Sequence, residues 1–299
     1  MQIEALKLFC DIIRFRSFSD SAQANGVTQP AASQTVQALE ERLGVPLIDR
    51  SRRPWKLTSE GELFYHGCRD VLRRYESLEA QVKGLPLARE AQVRVAAIYS
   101  VGLRHMKRYA QEYEAQYKPA RVHLSYLSPD KVYEAVLSGD ADLGIVSFPK
   151  TRQDLVVLPW REEPFVVAAS PDHWLAKARS ADLKSLTGEK FVAFDRGLDI
   201  RAEVDRFLKK RGVAVDVVFE FDNIEAIKQA VEIGSGLSLL PRPTLDREVQ
   251  AGTLAAIPLR GVGFVRPLAI LRRSGAPEGA AVARFIELLR KPDTVLSAA

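Results

Sequence analysis

Apolar residues near the amino end recur at the spacing of an amphipathic helix. Leu6, Phe9 and Ile13 follow one another by three and four residues, which places them on one face of a helix over residues 3–15. The next stretch, residues 19–43, predicts two short helices joined by a tight turn.

Residues at the ends of these two helices mark where each one begins and stops. Ser19 is expected to cap the first helix, and Gly26 to supply a turn with a positive φ angle. Thr28 is the expected N-cap of the second helix, because Pro30 fits only in the first turn of a helix. The second helix is predicted to continue to Gly44.

The second helix has an apolar stripe and a polar face opposite it. The stripe consists of Ala32, Val36, Leu39 and Leu43. The opposite face is uncharged near its start and rich in amides and hydroxyls, which pair with base edges in the major groove of DNA. A solvated helix without a DNA partner is the alternative. The candidate base-reading residues are Thr28, Gln29, Pro30, Ser33, Gln34 and Gln37.

Two short extended runs around a basic turn follow the second helix and predict a wing. Residues 50–56 carry four positive charges and no negative one. Charges beside a reading helix would neutralise phosphates and fix its orientation without carrying sequence information. A solvated loop is the alternative. The candidate phosphate-contacting residues are Arg50, Arg52, Arg53 and Lys56.

A long helix is predicted next, beginning at Thr58 or Ser59, where Ser59 and Glu62 have the spacing of a capping box. Its end is predicted at Gly84-Leu85-Pro86. Apolar residues recur along it in a heptad pattern that needs a partner, and the same helix of a second chain is the simplest one. Packing on its own domain is the alternative. The expected dimer seam consists of Phe64, Cys68, Val71, Tyr75, Leu78 and Val82.

Composition limits the classes of protein to consider. With 299 residues, 46% hydrophobic and 27% charged, the chain suggests two or three globular folding units. The net charge is only +5, so a nucleic-acid surface must be local. No run approaches the roughly 18 apolar residues of a membrane span, and no signal peptide is recognisable, so we expect a cytoplasmic protein without a membrane partner.

Cysteine and histidine usage argues against a disulfide framework and a metal site. Cys10 and Cys68 are the only cysteines, and the four histidines are scattered without metal-ligand spacing. Cys10 is read as a core residue of the first helix. Neither cysteine lies in the carboxyl-terminal region, so we do not expect cysteine-based redox sensing. We predict no metal, no cofactor and no catalytic residue.

The amino-terminal motifs resemble those of LysR-type transcriptional regulators. The resemblance covers the whole chain and is most specific in the first 61 residues. Two residues depart from the family pattern: Asn25 stands where leucine is usual, and Ile48 where phenylalanine is usual. The residues that carry the resemblance are Ser17-Phe18-Ser19, Gln29-Pro30-Ala31, Ser33, Leu39-Glu40, Leu43-Gly44-Val45-Pro46-Leu47, Arg50 and Leu57-Thr58-Ser59-Glu60-Gly61.

The resemblance implies a fold class and a set of partners. The fold would be α/β, with an N-terminal all-α winged helix-turn-helix, a long dimerisation helix, and a C-terminal two-lobed, periplasmic-binding-protein-like (type 2) effector domain. The partners would be double-stranded DNA with dyad symmetry, a small anionic effector, a second copy forming a homodimer, a further pairing into a dimer of dimers, and RNA polymerase. The expected domains are 1–58, 59–87 and 88–299.

Strands and helices alternate beyond residue 91, which predicts parallel sheets covered on both faces. Strands are expected at 93–98, 122–127 and 141–146, and each is followed by a serine, namely Ser100, Ser128 or Ser147. Ligands of open α/β sheets bind at the carboxyl ends of strands, where helix N-termini attract anions.

A second lobe is predicted to start near Arg161. Its strands are expected at 164–169, 191–194, 215–221 and 237–240, with a helix over 224–233. A strand at 268–271 and a helix at 280–289 would return to the first lobe. The lobes would then be 91–161 with 268–299, and 162–267. Hinge crossings near 161 and 267 would let a cleft between the lobes open and close.

Residues that would line this cleft follow from the strand ends and from the resemblance. Serine and asparagine at helix starts could equally be simple caps. Arg104, Arg196 and Arg201 could serve a carboxylate or sulfate, but surface placement is expected for each. The candidate effector-binding residues are Ser100, Val101, Gly102, Ser128, Ser147, Phe148, Phe194 and Asn223.

Three classes of function fit these patterns. The favoured one is a ligand-responsive DNA-binding regulator. A binding protein or enzyme of the two-lobed fold would leave the amino-terminal helices unexplained. A DNA-architectural protein would not need some 200 residues of ligand-binding fold.

Overall fold

The computed structural model describes residues 2–51, 54–82, 92–261, 263–275 and 279–291. The chain divides into two compact units, Met1–Gln92 and Val93–Ala299, which are called the head and the carboxyl-terminal unit. Each has a hydrophobic core of its own.

Three helices form the base of the head: α1 (Ile3–Phe15), α2 (Phe18–Ala24) and α3 (Gln29–Leu43). The predicted spans of α1 and α3 are confirmed. The predicted cap at Ser19 is wrong, because α2 already begins at Phe18. Ser17 has an extended backbone and its Oγ accepts a hydrogen bond from Asp20 N at 3.2 Å, so Ser17 is the cap.

The ends of α3 are as the sequence predicts. Thr28 Oγ1 accepts a hydrogen bond from Ala31 N at 3.3 Å, and Gly26 and Gly44 have φ angles of 66° and 73°. Ala32, Val36 and Leu39 are buried in the core of the head. Leu43 was expected in the same stripe but is exposed, since the last turn of α3 extends beyond that core.

The wing consists of β1 (Ile48–Asp49) and β2 (Lys56–Leu57), which pair antiparallel. The helix α4 (Ser59–Val82) follows directly. The expected capping box of Ser59 and Glu62 is wrong. Thr58 is the cap instead, since its Oγ1 accepts a hydrogen bond from Gly61 N at 2.9 Å. Ser59 Oγ donates to the neighbouring Glu60.

The expected dimer seam divides into two parts. Cys68 is buried in the core of the head and Phe64 packs against that core, with its ring centroid 5.5 Å from that of Phe9. The assignment of Phe64 and Cys68 to the seam is therefore wrong, because α1 already covers them. The predicted end of the helix at Gly84-Leu85-Pro86 lies outside the described residues. The seam residues that stay exposed are Val71, Tyr75, Leu78 and Val82.

The carboxyl-terminal unit begins with alternating strands and helices that match the predicted order. An irregular π-helical turn, Gly102–Met106, joins α5 to α6. The elements are β3 (Gln92–Ile98), α5 (Tyr99–Val101), α6 (Lys107–Gln116), β4 (Arg121–Leu127), α7 (Pro129–Leu137), β5 (Leu143–Ser147) and β6 (Leu155–Ala169).

The second half of this unit contains several elements that the sequence analysis missed, among them α8, α10 and β10. The elements are β7 (Lys190–Phe194), α8 (Asp199–Lys210), β8 (Asp216–Phe221), α9 (Ile224–Glu232), β9 (Ser238–Pro241), α10 (Asp246–Ala251), β10 (Ala255–Pro258), β11 (Val265–Arg273) and α11 (Ala280–Arg290). Short 3-10 turns lie at Trp174–Lys177, Leu183–Leu186 and Arg242–Leu245.

The seven-stranded sheet is mixed, not parallel as expected, whereas the separate pair of β7 and β8 is parallel. In the described part of the chain, strands lie in the order β10-β6-β11-β5-β3-β4, and β9 also pairs with β6. β3 and β5 are parallel, and so are β7 and β8. β11 runs antiparallel to β5 and β6. The chain leaves the first lobe along β6 and returns along β11, so these two long strands must run in opposite directions.

The strand β6 is longer than predicted, because it starts at Leu155 instead of Pro164. Its register with β11 shifts between Leu268 and Ala269, opposite Arg161 and Pro159. One core lies beyond this irregularity and contains Val167, Phe191, Ile227 and Leu239 among others. No helix in the described ranges is long and apolar enough to cross a membrane.

Candidate DNA-binding and ligand-binding sites

The outer face of α3 presents amides to solvent. Gln34 and Gln37 are exposed, as is Pro30 in the first turn. Gln29 Nε2 donates to Ser33 Oγ at 3.0 Å, and Gln37 Nε2 donates to Glu41 Oε1 at 3.0 Å. The amides can exchange these surface hydrogen bonds for bonds to base edges at little cost, since exposed side-chain bonds compete with water.

Glu40 fixes the wing to α3, a role that sequence reasoning missed. Its Oε1 accepts hydrogen bonds from Leu47 N at 2.8 Å and Ile48 N at 3.0 Å. Its Oε2 accepts from Arg50 Nη1 at 3.1 Å. One carboxylate thus holds both the backbone that enters β1 and the first basic residue of the wing. The available signal was the place of Leu39-Glu40 among the residues that carry the family resemblance.

The structure describes only some of the remaining candidate phosphate-contacting residues of the wing. Lys56 lies exposed on β2, whereas Arg52 and Arg53 lie outside the described residues. Trp55 packs edge-on against Phe18 of α2, with ring centroids 5.9 Å apart. This contact ties the distal side of the wing to the helix-turn-helix.

The two departures from the family pattern are both accommodated. Asn25 Nδ2 donates to Asp11 Oδ2 on α1 and to Ser21 O on α2, each at 2.9 Å, which anchors the end of α2 to α1. Ile48 is buried in the core of the head. The helix-turn-helix geometry is therefore kept without the usual leucine and phenylalanine.

The carboxyl-terminal half of α4 carries an apolar groove on the surface of the head. Val71 and Leu78 are 49% and 55% exposed, which is high for large apolar side chains at regular spacing. The groove encloses about 470 Å³. It is lined by Ile3, Asp70, Val71, Arg74, Tyr75 and Leu78.

In the carboxyl-terminal unit, a buried ion pair lies beside one predicted site residue. Arg266 on β11 and Glu163 on β6 face each other in register. Arg266 Nε donates to Glu163 Oε2 at 2.9 Å, and Nη2 donates to the same oxygen. Arg266 Nη1 donates to Ser100 Oγ at 3.0 Å. His105 Nε2 lies 3.2 Å from Glu163 Oε1.

Burial and pairing act in opposite directions on these charges. Burial alone would raise the pKa of Glu163, but the hydrogen bond with His105 and the charge of Arg266 more than offset it and hold that pKa below its usual value. Burial lowers the pKa of Arg266, and Glu163 opposes that shift. The pair is thus charged and internally compensated.

Several other predicted residues meet at this end of the sheet. Ser147 ends β5 opposite Leu268, and Phe148 N donates to Pro267 O at 2.9 Å. Phe148 has a φ angle of 48° and packs against the core of the second lobe. Ser128 precedes α7 and makes no side-chain cap hydrogen bond. Ser100, Ser147 and Phe148 therefore lie around the two long strands.

Some expected ligand contacts are wrong. Val101 and Gly102 are buried, and a side chain at position 102 would collide with Tyr126. Phe194 is 4% exposed and belongs to the core of the second lobe, so it is not a wall of a cleft.

The helix starts and arginines of the second lobe have structural partners. Asn223 Oδ1 accepts from Ala226 N at 2.9 Å, so Asn223 caps α9 as the simpler alternative proposed. Arg201 is not on the surface as expected: it is buried and pairs with Asp205 and Glu220. Arg196 is exposed and also pairs with Glu220, as expected. The side chain of Arg104 is not among those described.

Sequence reasoning missed Arg266, Glu163 and His105. The available signal was a charged residue at the matching position of each strand that crosses between lobes, but both strands were predicted too short to include it. Among the described residues, no group of three or more histidine, cysteine or acidic side chains could hold a metal ion.

Comparisons with known proteins agree over both units. Residues 3–62 match the bacterial regulatory helix-turn-helix protein, lysR family, and residues 88–292 match the LysR substrate binding domain. A RuBisCO operon transcriptional regulator from Allochromatium vinosum is 25% identical over 289 residues, which cover 97% of this chain and 95% of that protein.

Two solved structures show the same fold. Full-length OxyR C199D from Pseudomonas aeruginosa has a TM-score of 0.77 at 23% identity, covering 97% of this chain and 93% of that one. The regulatory domain of CcmR from Synechocystis PCC6803, in complex with 2-PG, has a TM-score of 0.61 at 27% identity. That match covers 67% of this chain and 95% of the CcmR chain.

Proposed function

The chain belongs to the LysR family of transcriptional regulators, and from this premise we propose how its own residues read DNA and sense an effector. Members of the family bind DNA and small-molecule effectors and act as oligomers. The chain is accordingly a regulator with an effector-binding domain, and not an enzyme. Because residues 3–62 match the helix-turn-helix of this family, the alternative of a two-lobed enzyme or transport-type binding protein is not favoured.

We propose that α3 lies in the major groove with its amide face toward the bases. The observation that carries this proposal is the exposed outer face of α3, where Gln34 and Gln37 project from a helix whose other side is anchored in the core. Glutamine offers a donor and an acceptor together, which fits adenine in the major groove. The proposed reading set is Thr28, Gln29, Pro30, Ser33, Gln34 and Gln37.

The wing holds the reading helix in register through phosphates. Arg50 is about half exposed and fixed by Glu40, so its charge has a defined place beside α3. Arg52, Arg53 and Lys56 complete the proposed phosphate set. Contacts of this kind add affinity on every sequence and make it depend on salt.

Two chains pair through the exposed half of α4. Val71, Tyr75, Leu78 and Val82 would bury their side chains against the same residues of a second copy. A two-fold axis then relates the two reading helices, and the DNA site acquires dyad symmetry. Pairing into a dimer of dimers is the higher assembly proposed.

The effector is a small anion that binds near Ser100. The hydroxyl of Ser100 already accepts a hydrogen bond from the buried Arg266, which leaves its proton to donate to an acceptor. Backbone N–H groups at the start of the helical segment after β3 favour negative charge. Ser128, Ser147 and Phe148 lie at ends of strands on the same sheet.

Effector binding acts on the strands that join the lobes. Glu163 and Arg266 pair across β6 and β11 at the proposed hinge, so a ligand at Ser100 is one side chain away from it. A ligand shifts the lobe angle only if it binds the two arrangements unequally. The proposed output is a changed DNA bend or contact with RNA polymerase.

Two linked measurements test this proposal. First, the full chain selects binding sites from a random duplex library, and we expect an enriched motif with dyad symmetry. Second, the melting temperature of the chain is measured with a panel of small carboxylates and phosphates that includes 2-PG, the molecule bound in the CcmR regulatory domain. A ligand at 100 times its dissociation constant stabilises a protein by about 2.7 kcal/mol.

The variant Ser100→Ala distinguishes the DNA-binding site from the proposed effector site. We expect it to bind the selected DNA as tightly as the parent chain, and to lose most of the melting shift given by an active compound. Loss of DNA binding without ligand would contradict the assignment of Ser100 to the effector site. Selection of sequences without symmetry would contradict the paired reading heads.

A further inference from the structure

The loop that follows β5 connects the two lobes at a point outside the two long strands. Phe148 lies in this loop, and its backbone N donates to Pro267 O of β11 at 2.9 Å. The side chain of Phe148 packs against the core of the second lobe, although β5 belongs to the first lobe. One phenylalanine thus joins a loop of the first lobe to the core of the second.

Phe148 has a backbone conformation that phenylalanine rarely adopts. Its φ angle of 48° lies in the left-handed region, where a bulky side chain is strained. Among the described residues, the other non-glycine residue with a positive φ angle is Arg16, which ends α1, a common place for this conformation. No helix ends at Phe148. Strained residues persist only where their surroundings hold them, and they are concentrated at ligand clamps and switch regions.

Lys150, two residues further along the loop, contacts both lobes. Its backbone N donates to the hydroxyl of Tyr133 on α7 at 2.8 Å, which fixes this residue to the first lobe. Its Nζ lies 2.9 Å from Oδ2 of Asp199, the first residue of α8 in the second lobe. The hydrogen bond with Asp199 raises the pKa of Lys150, so the lysine stays charged near neutral pH.

We propose that residues 148–150 form a strap that holds the two lobes in the closed arrangement, with the ion pair of Lys150 and Asp199 as its releasable end. The closed arrangement is the one in which these two side chains are in contact. The phenylalanine end is held by apolar packing. The lysine and aspartate side chains are 56% and 39% exposed, so water and salt reach the pair and it can break without opening a core.

The ion pair is weak, which suits a contact that has to be released. Exposed ion pairs contribute little to stability, but reversing one charge also replaces attraction by repulsion. We therefore expect each single charge reversal to lower the ratio of closed to open chains by roughly fivefold. The strap begins beside Ser147, so an effector bound at that serine would share its backbone with the strap; this last consequence rests on the proposed function.

The test measures the distance between the lobes in the full chain, with no effector present. Spin labels are attached to the exposed positions Glu134→Cys on α7 and Ala202→Cys on α8. Labelled chain is mixed with an excess of unlabelled chain, so that each assembly holds one labelled copy. Cys10 and Cys68 are buried, and the chain without introduced cysteines is the blank for their labelling. Double electron–electron resonance gives the distribution of distances.

The parent chain should show one narrow distribution of distances. Lys150→Glu and Asp199→Lys should each move part of this distribution to longer distances. The chain that carries both substitutions restores an ion pair with its charges exchanged, so it should return to the parent distribution. Salt at about 1 M screens exposed charges, so it should move the parent chain in the same direction as the single reversals.

Arg152→Glu is the matched control. Arg152 lies in the same loop and is also about half exposed, and it pairs with Asp154 at 2.8 Å, but both residues belong to the first lobe. Its reversal should leave the distances unchanged. All variants are checked for folding by circular dichroism. If a reversal disturbs the fold, the neutral variants Lys150→Gln and Asp199→Asn take its place, with a smaller shift expected in the same direction.

Three outcomes would overturn the proposal. Distances like those of the parent chain in both single reversals would show that the pair does not hold the lobes. An exchanged pair that stays open would show that attraction between Lys150 and Asp199 is not the cause. An equal shift in Arg152→Glu would assign the effect to the general charge of the loop. No effector enters this test, so a failure of the proposed effector site is detected separately, by the melting shifts.

Discussion

The head and the carboxyl-terminal unit differ in what their polar and apolar groups face. In the head, the amides of α3 and the apolar second half of α4 are exposed to solvent. In the carboxyl-terminal unit, Glu163 and Arg266 are 3% and 1% exposed and satisfy each other. One unit presents surfaces that need partners, whereas the other keeps its charges in an internal network.

This difference separates two kinds of function. Groups that will contact DNA or a second chain lie on the surface of the single chain, and substituting them should change assembly and leave folding intact. A buried pair between the strands that join the lobes is part of the fold, and its substitution should change stability first. Each prediction below tests one side of this contrast.

The largest effect is expected from Leu78→Ala on α4. Burying a leucine is worth about 1.5–3 kcal/mol, and a two-fold dimer contains this residue twice, so dimerisation should weaken by about 3–6 kcal/mol. Sedimentation equilibrium of the full chain measures the dissociation constant. The thermal stability of the separated monomer should change little, since Leu78 is already exposed there.

Leu63→Ala is the matched control on the same helix. Leu63 is 77% exposed, but it stands outside the heptad positions of the seam. Its removal should leave the dissociation constant unchanged. Equal weakening by both substitutions would mean that the heptad face is not the contact surface, and the assignment of α4 as the pairing helix would fail.

The next largest effect is expected on stability, from a substitution in the buried pair of Glu163 and Arg266. Glu163→Gln removes one partner and leaves the Arg266 charge uncompensated in the interior, which destabilises proteins by about 3–5 kcal/mol. Urea unfolding followed by far-UV circular dichroism measures this loss. Glu162→Gln is the control, because Glu162 precedes Glu163 on β6 and is exposed. It should shift the transition by no more than about 0.5 kcal/mol.

The pH dependence of the Glu163 effect has a definite sign. The folded-state pKa of Glu163 is lower than its usual value, so its contribution to stability is present above the unfolded pKa of about 4.3 and disappears as the pH falls through the folded value. The difference between the parent chain and Glu163→Gln should therefore be constant near neutrality and shrink below about pH 4. A difference that grows on acidification would contradict a charged Glu163.

The same contrast explains what the sequence could predict. Caps and turns of the head depend on residues a few positions apart, and Thr28, Gly26 and Gly44 were placed correctly. The errors at Ser19 and Ser59 moved a cap by one or two residues between neighbouring hydroxyl side chains, all of which are able to cap a helix. Local chemistry alone does not distinguish them.

Contacts between distant residues were beyond the sequence patterns. Apolar spacing gave the buried face of α4 but not its partner, so Phe64 and Cys68 were assigned to a second chain although α1 covers them. Ser100 was named as a site residue, whereas Arg266, which contacts it from far along the chain, was not. A strand that carries charged residues at the junction of two lobes lacks the apolar run by which strands are recognised.

A smaller effect is expected on DNA binding, from a substitution on the exposed face of α3. Gln34→Ala should cost about 1–3 kcal/mol of binding at its cognate base and relax the preference there. Titration of DNA duplexes varied at each position of the selected site measures this. Gln23→Ala on α2 is the control, because it removes an exposed amide outside the reading face. Equal loss on all duplexes would refute base reading by Gln34.

The smallest effect should come from the wing. Arg52→Ala removes one phosphate contact, so binding should weaken on every sequence and the slope of log affinity against log salt should fall by roughly one unit. Lys7→Ala is the matched control, because it removes one positive charge from the exposed face of α1 and changes the net charge equally. If both variants lower the slope alike, the wing acts only through the overall charge of the head. If Arg52→Ala leaves the slope unchanged, Arg52 does not contact phosphate. A slope that falls for Arg52→Ala alone, with base preference intact, would place phosphate anchoring in the wing and sequence reading in α3.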